Sequence, residues 1–314
     1  FNNLKHSVAG MINKYALRID EKTNTLNINS FSTLERYRGY PTCEEMRFRT
    51  QPRVASCTGF LIDEQTLVTA GHCMINYGLT VKNATTRKCN TNAWVFDYSV
   101  DSKNETSLKF EKDNVYECEK VISAKYTTTQ DFAIIKLKRK TVGKVPLNLA
   151  TSSNKYEKGT QVLVAGHPTG LPIKLAAGAK ITNNESDTQF VTNLDTFAGN
   201  SGSPVLNFYG EVLGILVSGE TDYYLDKKRG CYKVNNCIGY DSMCNTSAMA
   251  FASGETVTKI DLVQEQLDQV QEEESKSVYE SAQDTQYQEQ IADQVVDQVQ
   301  ADIQIVSRET PLMG

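Results

Sequence analysis

Apolar residues follow one pattern up to Gly254 and another after it, and this change constrains the chain more than any other feature. From Val54 onward, short apolar or alternating runs recur between Gly, Asn, Thr and Pro: Val54 to Ile62, Thr66 to Thr69, Val115 to Ile122, Phe132 to Leu137, Gln161 to Ala165, Phe190 to Leu194 and Val212 to Ser218. Their β-branched content and turn punctuation predict strands. Many short strands with few helical patterns predict an all-β barrel or sandwich. Beyond Gly254, Ile260, Val263, Leu267 and Val270 are spaced 3, 4, 3, and Ile291, Val295, Val299, Ile303 and Val306 are spaced 4, 4, 4, 3. Two amphipathic helices are expected there, separated by Glu272-Glu273-Glu274. The Asn- and Thr-rich stretch before about Pro52 predicts no element and reads as an N-terminal extension wrapping the core.

Charge divides the chain at the same place. The net charge of −5 resolves into +6 for residues 1–254 and −11 for residues 255–314, a segment that also holds 12 Gln between Gln264 and Gln304. The last segment therefore reads as an acidic appendage that binds a partner or docks on the body. No basic motif with interleaved aromatics accompanies the positive body, so nucleic acid is not expected as a partner. Apolar runs such as Ile215 to Val217 fall far short of the roughly 20 residues that cross a bilayer, and no membrane association is expected.

The 8 cysteines (Cys43, Cys57, Cys73, Cys89, Cys118, Cys231, Cys237 and Cys244) are spread out, and none forms a C-x-x-C pair. With only His6, His72 and His167 beside them, no metal site or cofactor is expected, and disulfides are the better account. Disulfides imply an oxidising compartment, so the chain is expected to be secreted, extracellular or periplasmic. It begins at Phe1 without a visible signal peptide, which reads as a mature or trimmed form.

Three motifs bear on chemistry. Leu67-Val68-Thr69-Ala70-Gly71-His72-Cys73 delivers a histidine into a small-residue turn. Asp131-Phe132-Ala133-Ile134-Ile135-Lys136-Leu137 sets an acid at the mouth of an apolar strand. Gly199-Asn200-Ser201-Gly202-Ser203-Pro204-Val205 flanks a serine with glycines. A serine hydroxyl needs an imidazole to take its proton, and the imidazole needs a carboxylate to fix its tautomer and stabilise its cation. The backbone N–H groups of Gly199 and Ser201 are candidates for an oxyanion hole. Each motif alone has an ordinary structural reading, as a turn histidine, a strand-capping acid or a glycine turn. The order His72, Asp131, Ser201 excludes the α/β-hydrolases, which run Ser, acid, His.

Taken together, T-A-G-H-C at 69–73, D-F-A-I-I-K-L at 131–137 and G-N-S-G-S-P-V at 199–205 resemble the chymotrypsin/trypsin family of serine peptidases. The likeness is greatest to the bacterial-type branch related to glutamyl endopeptidases. The resemblance covers roughly Cys57 to Leu262. It implies an all-β fold of two six-stranded antiparallel barrels, here 53–142 with His72 and Asp131 and 143–262 with Ser201. The extension 1–52 precedes them and the acidic helical tail 263–314 follows. It also implies a C-terminal helix at about Val257 to Val270 and a disulfide from Cys57 to Cys73; the other six cysteines then allow 15 connectivities. Asn200 replaces the Asp that pairs with a newly cut N-terminus in animal members, so activation by that ion pair is not expected. Phe197 stands where animal trypsins have a cysteine framing the specificity pocket.

In the trypsin pattern the residue six before the nucleophile, here Asp195, floors the primary pocket, which predicts cleavage after Arg or Lys. Val217, Ser218 and Gly219 are expected to wall the pocket and to pair with substrate backbone. Glu220 and Asp222 add charge at the entrance or are solvated loop acids. Cleavage after Glu, favoured by the branch resemblance, would want a histidine on this strand, which has none. His167 reads as a turn residue packing the second barrel. A non-catalytic secreted binding protein on the same fold is the alternative of another class.

Overall fold

The computed structural model describes residues 3–20, 22–23, 25–28, 31–78, 80–84, 87–100, 109–152, 154–235, 237–238, 243–244 and 254–309. Two closed six-stranded antiparallel β-barrels carry the chain to Lys259, and one long helix, Asp261–Glu309, follows. By internal contacts, residues 1–263 form one compact unit and residues 264–314 a second.

The first barrel runs Val8–Asn13, Ala55–Leu61, Thr66–Thr69, Asn92–Phe96, Val115–Tyr126 and Asp131–Leu137, closed by pairing of the last two strands; Thr80–Ala84 adds to Val115–Tyr126 as a seventh. Val8–Asn13 lies between Ala55–Leu61 and Asn92–Phe96, so the segment expected to wrap the core supplies a strand of it. Its first five residues are all buried, which explains why no alternation marks it in the sequence. Phe60, Trp94, Phe96 and Phe132 fill the interior. The second barrel closes in the order Gln161–Gly166, Lys174–Asn183, Gln189–Thr192, Glu255–Lys259, Val212–Ser218 and Pro204–Leu206. Val162, Ile181, Phe190, Leu213 and Val257 pack its core.

The end of the chain differs from expectation in two ways. Residues 255–259 are a barrel strand, and the helix starts only at Asp261. A single helix replaces the expected pair because Glu272-Glu273-Glu274 is a run of good helix formers, and Lys276 pairs with Glu272 one turn back at 2.8 Å.

Disulfides join Cys57 to Cys73, Cys43 to Cys231 and Cys89 to Cys118. The first is the pairing implied by the resemblance. The Cys43–Cys231 bridge ties the segment before Pro52 to the hairpin formed by Tyr223–Asp226 and Cys231–Val234 of the second half. Cys237 and Cys244 face each other in strand register. No helix among the described residues is long and apolar enough to cross a membrane.

Candidate active site

The strand Thr66–Thr69 ends in Ala70, and the short helix Gly71–Met74 turns His72 toward the mouth of Asp131–Leu137. The turn is tight: a Cβ on Gly71 would lie 1.9 Å from the Lys125 carbonyl oxygen, so only glycine fits. Asp131 is buried and holds His72 twice. Its Oδ1 accepts the His72 backbone N–H at 3.0 Å and its Oδ2 lies 2.7 Å from Nδ1. A carboxylate there fixes the tautomer with hydrogen on Nδ1 and leaves Nε2 free as the acceptor. The Tyr126 ring packs 5.5 Å from the imidazole.

Ser201 is held against the first barrel by hydrogen bonds between the barrels. Thr58 N–H donates to the Ser201 carbonyl at 2.8 Å and the Thr58 hydroxyl to the Gly199 carbonyl at 2.8 Å. Cys57, beside Thr58, is bonded to Cys73, beside His72. Gly202 completes the seam: with φ +88° it donates its N–H to the Leu216 carbonyl at 2.7 Å, and a Cβ there would meet the Thr58 carbonyl oxygen at 2.0 Å and Thr69 Oγ1 at 2.2 Å. The serine turn is thus pressed against the strand that leads into His72.

Gly199 also has positive φ, +98°, and a Cβ there would lie 2.6 Å from the His167 carbonyl oxygen. The backbone N–H groups of Gly199 and Ser201 are not taken by another described residue. Asn200 is buried, and its Oδ1 has no partner among the described residues. His167 is fully buried, stacked on Tyr98 at 5.0 Å with its Nδ1 3.0 Å from the Leu171 carbonyl oxygen. Burial pushes its pKa down to about 3, so it remains neutral.

Beside Ser201 opens a cavity of about 350 Å³ lined by Thr196, Phe197, Val217, Ser218, Gly219, Glu220, Asp222 and Glu255. Val217, Ser218 and Gly219 line this cavity together with Ser201, and Glu220 and Asp222 share it. Asp195 lines a neighbouring cavity of about 660 Å³ together with Arg47, Lys174 and Asn200. Phe197 borders both spaces. The structure therefore brings Val217, Ser218 and Gly219 to Ser201 and places Asp195 on the lining of the neighbouring cavity, from where its charge acts on Asp222.

Glu255 is the cavity residue that sequence reasoning missed. Burial pushes its carboxyl up to about 7 and that of Asp222, whose oxygen accepts the Ala198 N–H at 3.0 Å, up to about 6. The signal for Glu255 was its place directly after Gly254, at the head of the alternating run T-V-T-K-I, but the charge count had grouped it with the acidic segment.

A trypsin family model matches residues 37–238, more than half of the sequence. The chain belongs to the trypsin family. Two barrel strands, Val8–Asn13 and Glu255–Lys259, lie outside the matched span. No curated protein matches the sequence. Among solved structures the chain is similar to the Rv3671c protease of M. tuberculosis. An inactive mutant form is 15% identical, with 85% of this chain and 87% of that chain covered and a TM-score of 0.42. The active form is 14% identical, with 86% and 85% covered and a TM-score of 0.42.

Proposed function

We propose that this protein is a secreted serine endopeptidase in which Ser201 attacks the scissile carbonyl, His72 moves the proton and Asp131 orients His72. The double hold of Asp131 on His72, with Ser201 tied to the same seam, is the observation that carries this reading. Ser201 Oγ forms the bond to the carbonyl carbon as His72 Nε2 takes the hydroxyl proton. The oxyanion is met by the N–H groups of Gly199 and Ser201. Collapse breaks the peptide C–N bond, and the proton on Nε2 passes to the leaving amine. Water, activated by the same imidazole, then hydrolyses the acyl-enzyme and restores Ser201.

The proposed cleavage follows Arg or Lys. Acids stand in and around the cavity beside Ser201, and a cationic side chain would pair with them. Cleavage after Glu is disfavoured because, among the described residues, no histidine lines this cavity, whose walls carry carboxylates. Three disulfides support an oxidising location.

A peptide-library cleavage profile of the wild type and Ser201→Ala in parallel tests the reading. Hydrolysis after Arg and Lys by the wild type alone is expected. Equal hydrolysis by Ser201→Ala would refute the nucleophile, and no hydrolysis by either would favour a non-catalytic binding protein.

A further inference from the structure

Glu255 is only 6% exposed and is placed by barrel geometry. It opens the strand Glu255–Lys259, in register with Thr192 on one side, while its neighbour Thr256 pairs with Ser218 on the other. Its carboxylate reaches the cavity beside Ser201 because Gly219 has no side chain: a Cβ there would lie 2.0 and 2.3 Å from the two carboxylate oxygens. The Thr196 hydroxyl donates to Oε2 and the Glu220 N–H to Oε1 at 3.3 Å. These are neutral donors and leave the charge unmatched. The charged groups felt by Glu255 are Asp222 and Glu220, both of its own sign. The one cation lining the cavity among the described residues, Arg38, is exposed and acts on Asp222.

A buried carboxylate with two neutral donors and acidic neighbours is stabilised strongly by an entering cation and weakly by anything else. We propose that Glu255, and not Asp195, is the specificity-determining acid that receives the basic side chain of the substrate, with Asp222 as the second acid of the same cavity. The proposal rests on the peptidase reading and changes which residue confers its substrate class. Asp195 lines the neighbouring cavity with Arg47, whose charge favours its ionised form, and touches the receptor cavity only through the charge it exerts on Asp222.

The test is the ratio of kcat/KM for matched peptides with Arg and with Ala before the cleaved bond, measured for wild type, Glu255→Gln, Glu255→Asp and Asp195→Asn. Thermal unfolding of each variant reports whether it is folded. Glu255→Gln is expected to lower the ratio by about 100-fold and Asp195→Asn by less than about 3-fold, since loss of a buried ionic partner costs far more than loss of a charge that acts on the cavity only through Asp222. Glu255→Asp, which keeps the charge on a shorter stem, is expected to retain a preference for basic residues. A folded Glu255→Gln with an unchanged ratio, or a collapse confined to Asp195→Asn, would overturn the assignment while leaving the peptidase reading intact. A wild type with no preference for Arg would overturn both the assignment and the basic specificity.

Discussion

Asp131 in the first barrel and Glu255 in the second are both buried acids at the first residue of a strand, but their partners differ. Asp131 is engaged from within: the backbone N–H and ring nitrogen of His72 take both its oxygens. Glu255 meets a threonine hydroxyl and a backbone N–H, with Asp222 and Glu220 adding repulsion. On the proposed reading one acid is complete before substrate arrives, and the other becomes so only when a cation enters. A fold can thus hold a carboxylate as a fixed orienting part or as an open receptor, and the partner set distinguishes the two.

Removing the satisfied acid gives the largest expected effect. Asp131→Asn should lower kcat by about 10⁴-fold, because the imidazole is then held in the wrong tautomer. Steady-state kinetics on an Arg peptide would show it, and a loss under tenfold would break the first half of the comparison. Next comes Gly199→Ala, whose Cβ meets the His167 carbonyl at a φ of +98°. The displaced N–H should cost about 10²- to 10³-fold in kcat with little change in KM.

The open receptor should reveal itself through pH. Glu255 and Asp222 ionise only as pH rises through about 7 and about 6. Calorimetry should find benzamidine binding strengthened about tenfold between pH 6 and 8, since an amidinium pairs with the ionised form. Glu255→Gln should flatten the upper part of that rise; an unaltered pH profile would show that Glu255 does not face the ligand.

The smallest effect is on stability. A carboxyl whose pKa is raised by folding binds its proton more tightly in the native state. Stability is therefore greatest below the unfolded value and declines as pH rises toward 7. Urea midpoints should record a loss of about 1–3 kcal/mol across this window, and Glu255→Gln should remove part of the slope.

The first barrel site was largely legible in the sequence because its parts are local. A strand, a small turn and His72 lie in seven residues, and Asp131 heads an unbroken apolar strand. The second barrel was less so. Counting six residues back from Ser201 selects Asp195, yet Phe197 borders both spaces and Asp195 faces the neighbouring one. Glu255 lies 54 positions after Ser201, and only the closing strand of the barrel brings it to the cavity. The strand Val8–Asn13 was hidden because burial on both faces removes the alternation that marks a strand. The tail was misdivided because an acidic cluster was read as a break where three glutamates continue a helix.

Labelling of the full chain with a fluorophosphonate, followed by mass mapping of the modified peptide, tests the central claim most directly. One adduct per chain is expected, on Ser201, greatly slowed in Asp131→Asn and absent in Ser201→Ala. An adduct on another residue, or labelling that survives Ser201→Ala, would contradict it.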